Sequence, residues 1–546
     1  MIFLIAVHRR GAPERSGGAP VNNQQSKLYH QQYYDKEMDY MYARTWGETT
    51  CGINGAMVTV EVDVTNGLPA FEMVGLPDTA VKEARERVKA AVKNCGFHFP
   101  DTHITVNLAP ADLKKDGSGL DLPIALGILC AKNYLKIEQQ AVFAGELALD
   151  GTLRAINGIL PMILKAREEG CEAIYIPEGN AAEGRLVDGI QVYTAENLGQ
   201  IIDHFQDKEK LTPLEKQGLI APEQREASVD FADVQGQVVA KRALEIAAAG
   251  GHNVLMVGAP GSGKTMLARR LPTILPPMTE EEALEVTKIY SISGLLKRNH
   301  GIMQERPFRS PHHTVSQTAL IGGGSIPRPG EVTLSHHGVL FLDELPEFSR
   351  SSLEVLRQPL EDGVVTISRV QASLTYPARF ILVAAQNPCP CGFWGEEDGI
   401  HQCTCRPGDI ARYRKKISGP LLDRIDIQIH VPRLQYQEMQ SRQKMESSAA
   451  IRTRVVAARQ RQRARLKGTH LFCNANMGRR EVKAFCPLTP EAEALLEQYF
   501  TKLGLSARSH DRIIKVARTI ADLAESREIT ALHLGEAISL RTSIQG

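Results

Sequence analysis

The sequence predicts a multidomain α/β protein: an α+β domain first, an αβα core on a parallel sheet second, and a helical part last. Three observations predict it. A chain of 546 residues exceeds one domain of usual size. Strand-like apolar runs alternate with helix-period runs from Met57 to about Phe205, and again from Val234 to about Pro432. After "VPRLQ" the alternation stops and helix-period segments continue to the end.

Each part follows from its own residues. Residues 1–40 are polar, Gly/Pro/Gln-rich and aperiodic, so they read as a disordered tail, or as a stretch ahead of a true start at Met38 or Met41. In 41–205, "AMVTVEVDV" and "HITVNLAP" read as strands, "DTAVKEARERVKAAVKNCG" and "LDLPIALGILCAKN" as helices. Residues 206–232 are charged, poorly periodic and interrupted by prolines, as a linker is. Residues 233–435 form the core. Residues 436–546 begin with a basic stretch, "RTRVVAARQRQRARLKG", and continue as three further helices.

Composition excludes several classes. A hydrophobic content of 43% can fill ordinary cores. Sixty-four Lys+Arg against sixty-three Asp+Glu leave a net charge of +1, so no global basic field marks a nucleic-acid binder, and only local patches remain. No apolar run reaches membrane length. "MIFLIAVHRR" lacks the basic start and small-residue cleavage site of a signal peptide. Ten cysteines are too sparse for a disulfide scaffold. A cytoplasmic, reducing location is expected, where clustered cysteines mean metal or reactivity.

The strongest signal is "NVLMVGAPGSGKTMLARRL". An apolar strand feeds G-x-x-x-x-G-K-T and then a helix. Gly258, Ala259, Pro260, Gly261, Ser262 and Gly263 form a loop whose N–H groups cradle phosphates, helped by the helix dipole. Lys264 faces the β/γ-phosphates and Thr265 ligates Mg²⁺, so ATP with Mg²⁺ is the expected cofactor pair. "GVLFLDELPEF" supplies a buried strand ending in Asp343, for the metal, and Glu344, for activating water. A third strand, "RFILVAAQNP", ends at Asn387, an amide placed to sense the γ-phosphate. In "ISGPLLDRIDIQIHV", Arg424 reads as an exposed arginine finger for a neighbouring subunit. In "LSARSHDRIIKVARTIADL", Arg508, or alternatively Arg512, reads as a second phosphate-sensing arginine. Such arginines imply a ring.

Together these motifs resemble the AAA+ ATPases, and more narrowly the magnesium-chelatase-like YifB/ComM family. The carriers are "VEVDVTNGLPAFEMVGLPD", "GGHNVLMVGAPGSGKT", "RPFRSPHHTVSQTALIGGGSIPRPGEVTLSHHGVLFLDELPEF", "NPCPCG", "ISGPLLDRID" and "SARSHDRIIKVARTIADL". The resemblance spans Tyr42 to Arg541. It implies a ribosomal-S5/Lon-like N-terminal domain, an AAA+ core with a hairpin inserted in helix 2, a helical lid and homo-hexameric rings. One branch of the family is implicated in DNA branch migration during transformation. Single-stranded or branched DNA is therefore the expected partner, with no membrane.

Loops able to touch such a strand fall in "RPFRSPHHTVSQTALIGGGSIPRPG", where Phe308, Arg309, His312, His313 and Arg328 supply aromatic and cationic groups. The hairpin implied by "GVVTISRVQASLTYPARF" places Arg369 near a second tip. Adjacent His312 and His313 read as a turn-stabilising pair rather than a metal site. The arginines from Arg452 to Arg465 read as a solvated helix face.

The Lon-like resemblance raises peptide cleavage, which needs a serine and a nearby amine. The resemblance puts Gly119 at the nucleophile position beside Ser118, and Met162 at the lysine position, with Lys165 about one helical turn away. The domain is therefore expected to be non-proteolytic. Cys389-x-Cys391 and Cys403-x-Cys405, eleven residues apart, suit a small Zn²⁺ knuckle, with His401 as an alternative ligand and a set of reduced loop thiols as the other reading. The leading function is an ATP-driven DNA motor. The alternatives are a protein-remodelling chaperone and a chelatase-type motor, the latter opposed by an N-terminal domain foreign to chelatases.

Overall fold

Two sheets organise the computed structural model, which describes residues 41–216, 229–296, 301–324, 327–368, 373–395, 402–434, 445–503 and 506–542. The first has seven strands in the order Ala70–Val74, His103–Ala109, Asn54–Thr65, Met41–Cys51, Ala141–Phe143, Ala173–Pro177, Gln191–Ala195. Met41–Cys51 pairs antiparallel with Asn54–Thr65 along its whole length. Its alternation is hidden in the sequence because Thr45, Glu48 and Thr49 occupy buried positions. Thr45 meets its burial by donating to the Pro123 carbonyl at 2.9 Å.

Helices Thr79–Asn94 and Asp121–Ala131 share one apolar cluster with this sheet, and helix Ile159–Glu168 lies in a second. Thr79–Asn94 starts where it does because Asp78 caps it, accepting from the Val81 N–H at 2.8 Å. The first residues of the expected linker pack on the first domain. Leu214 donates its N–H to the Val192 carbonyl at 2.7 Å and packs among the buried residues of the sheet edge.

The second sheet has five parallel strands in the order Phe308–Arg309, Val339–Leu342, Ile381–Gln386, Val254–Val257, Ile427–His430. Alternate residues face opposite sides. Val254, Met256, Phe341 and Val383 enter one core, while Leu255, Val257, Leu340 and Leu342 enter another. Both faces are covered, so the strands read as continuous apolar runs. The two sheets meet where helix Ile159–Glu168 packs on helix Glu280–Ile292, with the Gly158 N–H donating to the Ser291 carbonyl at 3.2 Å.

The basic stretch is helix Ser448–Arg465, and among the described residues four α-helices follow rather than three: Arg479–Phe485, Pro490–Leu503, Ala507–Leu523 and Ala531–Thr542. The additional one is only seven residues long, too short for a clear period. The expected lid is not a separate body, since its apolar faces merge with helix Val238–Gly250 and one sheet face in a single core. The arginines of the basic helix are largely engaged within the chain. Arg454 pairs with Glu245, Arg461 with Glu525, and Arg465 with the buried Asp522. Among the described residues no helix is long and apolar enough to cross a membrane.

Candidate active site

The strands of the second sheet are parallel, so whatever follows each of them emerges at one edge. Gly258, Asp343 and Asn387 follow three neighbouring strands and meet there. Helix Lys264–Ile274 starts at Gly263, whose φ of +90°, like the +77° of Gly261, is strained for any side chain. Its first N–H groups have no intrahelical partner, which makes the loop a seat for an anion. Lys264 Nζ donates to the Gly258 and Ala259 carbonyls at 2.7 and 2.9 Å and lies 3.4 Å from Asn387 Oδ1. The ammonium and the amide expected to face phosphate thus already face each other.

Thr265 Oγ1 donates to Asp343 Oδ2 at 2.8 Å. A hydroxyl and a carboxylate in contact at the mouth of an anion seat fit Mg²⁺, which takes few protein oxygens and keeps the rest of its shell for water and phosphate. Glu344 follows in a left-handed conformation, φ +51°, and its backbone N–H donates to Asp343 Oδ1 at 2.9 Å. The Glu344 carboxylate is 54% exposed and lies 3.1 Å from His313 Nδ1. His313 lies inside the turn closed by the Val315 N–H donating to the His312 carbonyl at 3.0 Å, and from there it also faces Glu344. It sits against Phe348 and its ring packs 4.0 Å from His312, while His312 alone bonds within the turn, to Thr314 at 2.9 Å.

Arg424 departs from expectation. It is 8% exposed, donates to the Pro420 carbonyl at 2.7 Å and pairs with Glu361. It precedes the strand Ile427–His430, so it lies at the sheet edge opposite the P-loop, about 13 Å away along four strand residues. Arg508 is exposed at the start of its helix, and Arg512 pairs with Asp426 at the same edge. The Glu361 carboxylate is held below its usual range by Arg424 first, then by Arg508 and Arg512. Three arginines thus share one patch that faces away from the chain's own P-loop. Glu361 had no signal in the sequence.

Of the five groups expected to reach for a strand, Arg309 is committed to Glu331 through two bonds of 2.7 and 2.8 Å, and Phe308 stacks on Phe341. His312 and Arg328 are exposed. Arg369 and His401 lie outside the described residues. In the first domain, Ser118 Oγ donates to Glu146, Met162 is buried, and Lys165 pairs with Glu168 and Glu169. A carboxylate, not an amine, meets the serine.

The sulfurs of Cys389, Cys391, Cys403 and Cys405 all lie within 4.8 Å of one another. Cys389 Sγ is 3.3 Å from Cys391 Sγ and 3.7 Å from Cys403 Sγ, and the latter two are 3.6 Å apart. Tetrahedral Zn²⁺ with Zn–S bonds of about 2.3 Å sets its sulfurs about 3.8 Å apart. Burial raises the Cys391 thiol, but hydrogen bonds from the Phe393 and Thr404 backbone and its neighbouring thiols bring it down to about 6. Glu285, His336 and His337 also converge. There the His336 Nδ1 accepts from the Arg379 N–H at 3.1 Å, so its proton is on Nε2, facing Glu285, and the trio is a hydrogen-bond cluster.

Residues 230–439 match the family described as magnesium chelatase, subunit ChlI, and residues 445–541 its C-terminal part. Residues 60–180 match the family described as subunit ChlI of Mg-chelatase, so the first domain does not argue against a chelatase-type motor as expected from sequence. That domain also resembles Lon protease 2 of Bacillus subtilis, 25% identical over 28% of this chain and 30% of that one. The protein YifB of Salmonella typhimurium is 45% identical over 90% of this chain and 95% of its own. Competence protein ComM of Haemophilus influenzae is 44% identical over 92% and 98%. With the fold and phosphate-binding edge described above, the chain belongs to the YifB/ComM family of magnesium-chelatase-like AAA+ ATPases.

Proposed function

We propose that the chain is a cytoplasmic motor that hydrolyses ATP as a homo-hexamer and moves single-stranded or branched DNA, as in branch migration. One observation carries the ring: the phosphate seat and the arginine patch lie at opposite edges of one sheet. Neither is complete alone, and head-to-tail packing around a closed ring brings each patch to the next seat.

In this reading Lys264 leaves the loop carbonyls for the β/γ-phosphate oxygens of ATP. Thr265 and Asp343 would hold Mg²⁺, whose positive charge would offset that of the phosphates. Glu344 takes a proton from the attacking water, and Asn387 orients that water against the γ-phosphate. Arg424 and Arg508 of one subunit stabilise the charge developing on the next subunit's γ-phosphate, which requires Arg424 to leave Glu361 as the ring closes. The four thiols hold Zn²⁺. The first domain is a non-proteolytic scaffold, since Ser118 faces Glu146 rather than an amine.

The DNA reading draws on the name of the Haemophilus relative and on the exposed His312 and Arg328 of the inserted segment. A second reading, a chelatase-type metal-insertion motor, is favoured by the match over residues 230–439, and protein remodelling is the third. ATPase rates with and without single-stranded and forked DNA decide between them. Stimulation by DNA is expected, and indifference to both would move the assignment to another substrate.

A further inference from the structure

The four thiols touch the nucleotide loop. Cys389 follows Asn387 by two residues, so the first sulfur-bearing residue is at most about 8 Å of chain from the amide that faces Lys264. At Gly392 the chain turns with φ +91°, and a Cβ added there would stand 2.6 Å from Pro260 Cδ. The turn therefore rests directly on the crest of the P-loop. Its next residue extends the contact. The Arg433 guanidinium lies 5.5 Å over the Phe393 ring and donates to the Pro260 carbonyl at 3.3 Å. On the other side, the Trp394 N–H donates to Cys389 Sγ at 3.3 Å, and its ring carries Arg414 at 4.2 Å. Arg414 ends helix Pro407–Arg414, which leads on to Arg424.

Thiols by themselves give such a turn only weak hydrogen bonds. A Zn²⁺ ion with four sulfur ligands has no open position and no redox chemistry, so its part is mechanical. We infer that the cysteine cluster is a brace on the ATP site, in which Zn²⁺ locks the Gly392–Trp394 turn against Pro260 and thereby holds the P-loop and Asn387 in their phosphate-binding positions. This rests on the reading that the four thiols carry Zn²⁺.

The full chain, purified without oxygen, is assayed for zinc by elemental analysis and titrated with a fluorescent ATP analogue, with a thermal melt as a check on folding. About one zinc per chain is expected for four converging thiolates. Cys403→Ser loses the zinc and binds the analogue roughly tenfold more weakly, the usual size of a supporting-shell effect. Phe393→Ala keeps the zinc and shows the same weakening, because it removes the ring beneath Arg433, the side-chain link from the turn to the Pro260 carbonyl, and leaves the metal site intact. Wild-type protein without zinc overturns the metal reading. Zinc present, with Phe393→Ala binding the analogue as tightly as wild type, overturns the brace and leaves the metal in place. Phe393→Ala decides the matter even if Cys403→Ser does not fold.

Discussion

Glu344→Gln separates the two carboxylates that the sequence places side by side. Glutamine keeps the size and shape of the side chain and removes only its ability to take a proton. In the proposed site the phosphate contacts belong to Lys264 and the loop N–H groups, and of the two carboxylates it is Asp343 that bonds Thr265. The substitution should therefore leave ATP affinity within about twofold and strike kcat. Removing a general base costs roughly 10²- to 10⁴-fold, which corresponds to about 3–5 kcal/mol of barrier. Steady-state phosphate release and analogue titration on the same preparation measure both quantities. Lys264→Ala is the contrast, since it should abolish nucleotide binding itself. If Glu344→Gln retained kcat within about threefold, Glu344 would not be the base.

Other substitutions probe the surroundings. His313→Ala frees Glu344 from its contact with the imidazole and should raise the DNA-independent ATPase rate by up to about fivefold, the population that a part-exposed contact of about 1 kcal/mol can hold back; a fall in rate would mean that His313 aids the base instead. Arg424→Ala should lower ATPase by roughly 10³-fold, the size of an arginine-finger effect. Mixed with the equally inactive Lys264→Ala protein it should regain activity, because some interfaces then join an intact arginine to an intact P-loop, and no regain would refute the shared site. Glu48 is fully buried, neither of its oxygens has a hydrogen-bond partner among the described residues, and burial pushes its carboxyl up to about 9 against the pull of Lys165. A raised carboxyl stabilises the folded state in full below its unfolded value near 4.5, and loses that contribution as pH rises toward 9. The slope reaches about 1.4 kcal/mol per pH unit. Thermal melts between pH 5 and 9 should show the slope in wild type and its loss in Glu48→Gln.

What was legible in the sequence was local chemistry on regular backbone. The P-loop, Asp343-Glu344 and Asn387 each follow an apolar strand directly, and the structure brings all of them to one edge. The strand Met41–Cys51 was illegible because its buried positions are polar, so no apolar period marks it. The partners of functional groups were illegible for a different reason. Glu361 lies 63 residues from Arg424 and His313 lies 31 from Glu344, and neither separation carries a periodic signal. The basic helix misleads in the same way, because the acids that engage it, Glu245 and Asp522, come from other parts of the chain.

The position of Arg424, by contrast, was within reach of the sequence. In a parallel sheet, a residue just after a strand and a residue just before one lie at opposite edges. "NVLMVGAPGSGKT" puts the phosphate seat after its strand, and "LLDRIDIQIHV" puts Arg424 before another. Once both strands belong to one parallel sheet, Arg424 is directed away from its own nucleotide by topology alone. Its burial against Glu361 does not contradict a role in a neighbouring site. An arginine held by a half-exposed glutamate is kept localised, and a closing interface has that pair and the bond to the Pro420 carbonyl to break. That makes Glu361→Gln the informative partner of Arg424→Ala. If the pair only stores the arginine, removing the glutamate should leave ATPase intact or raise it. If the pair instead shapes the active interface, both substitutions should fail alike.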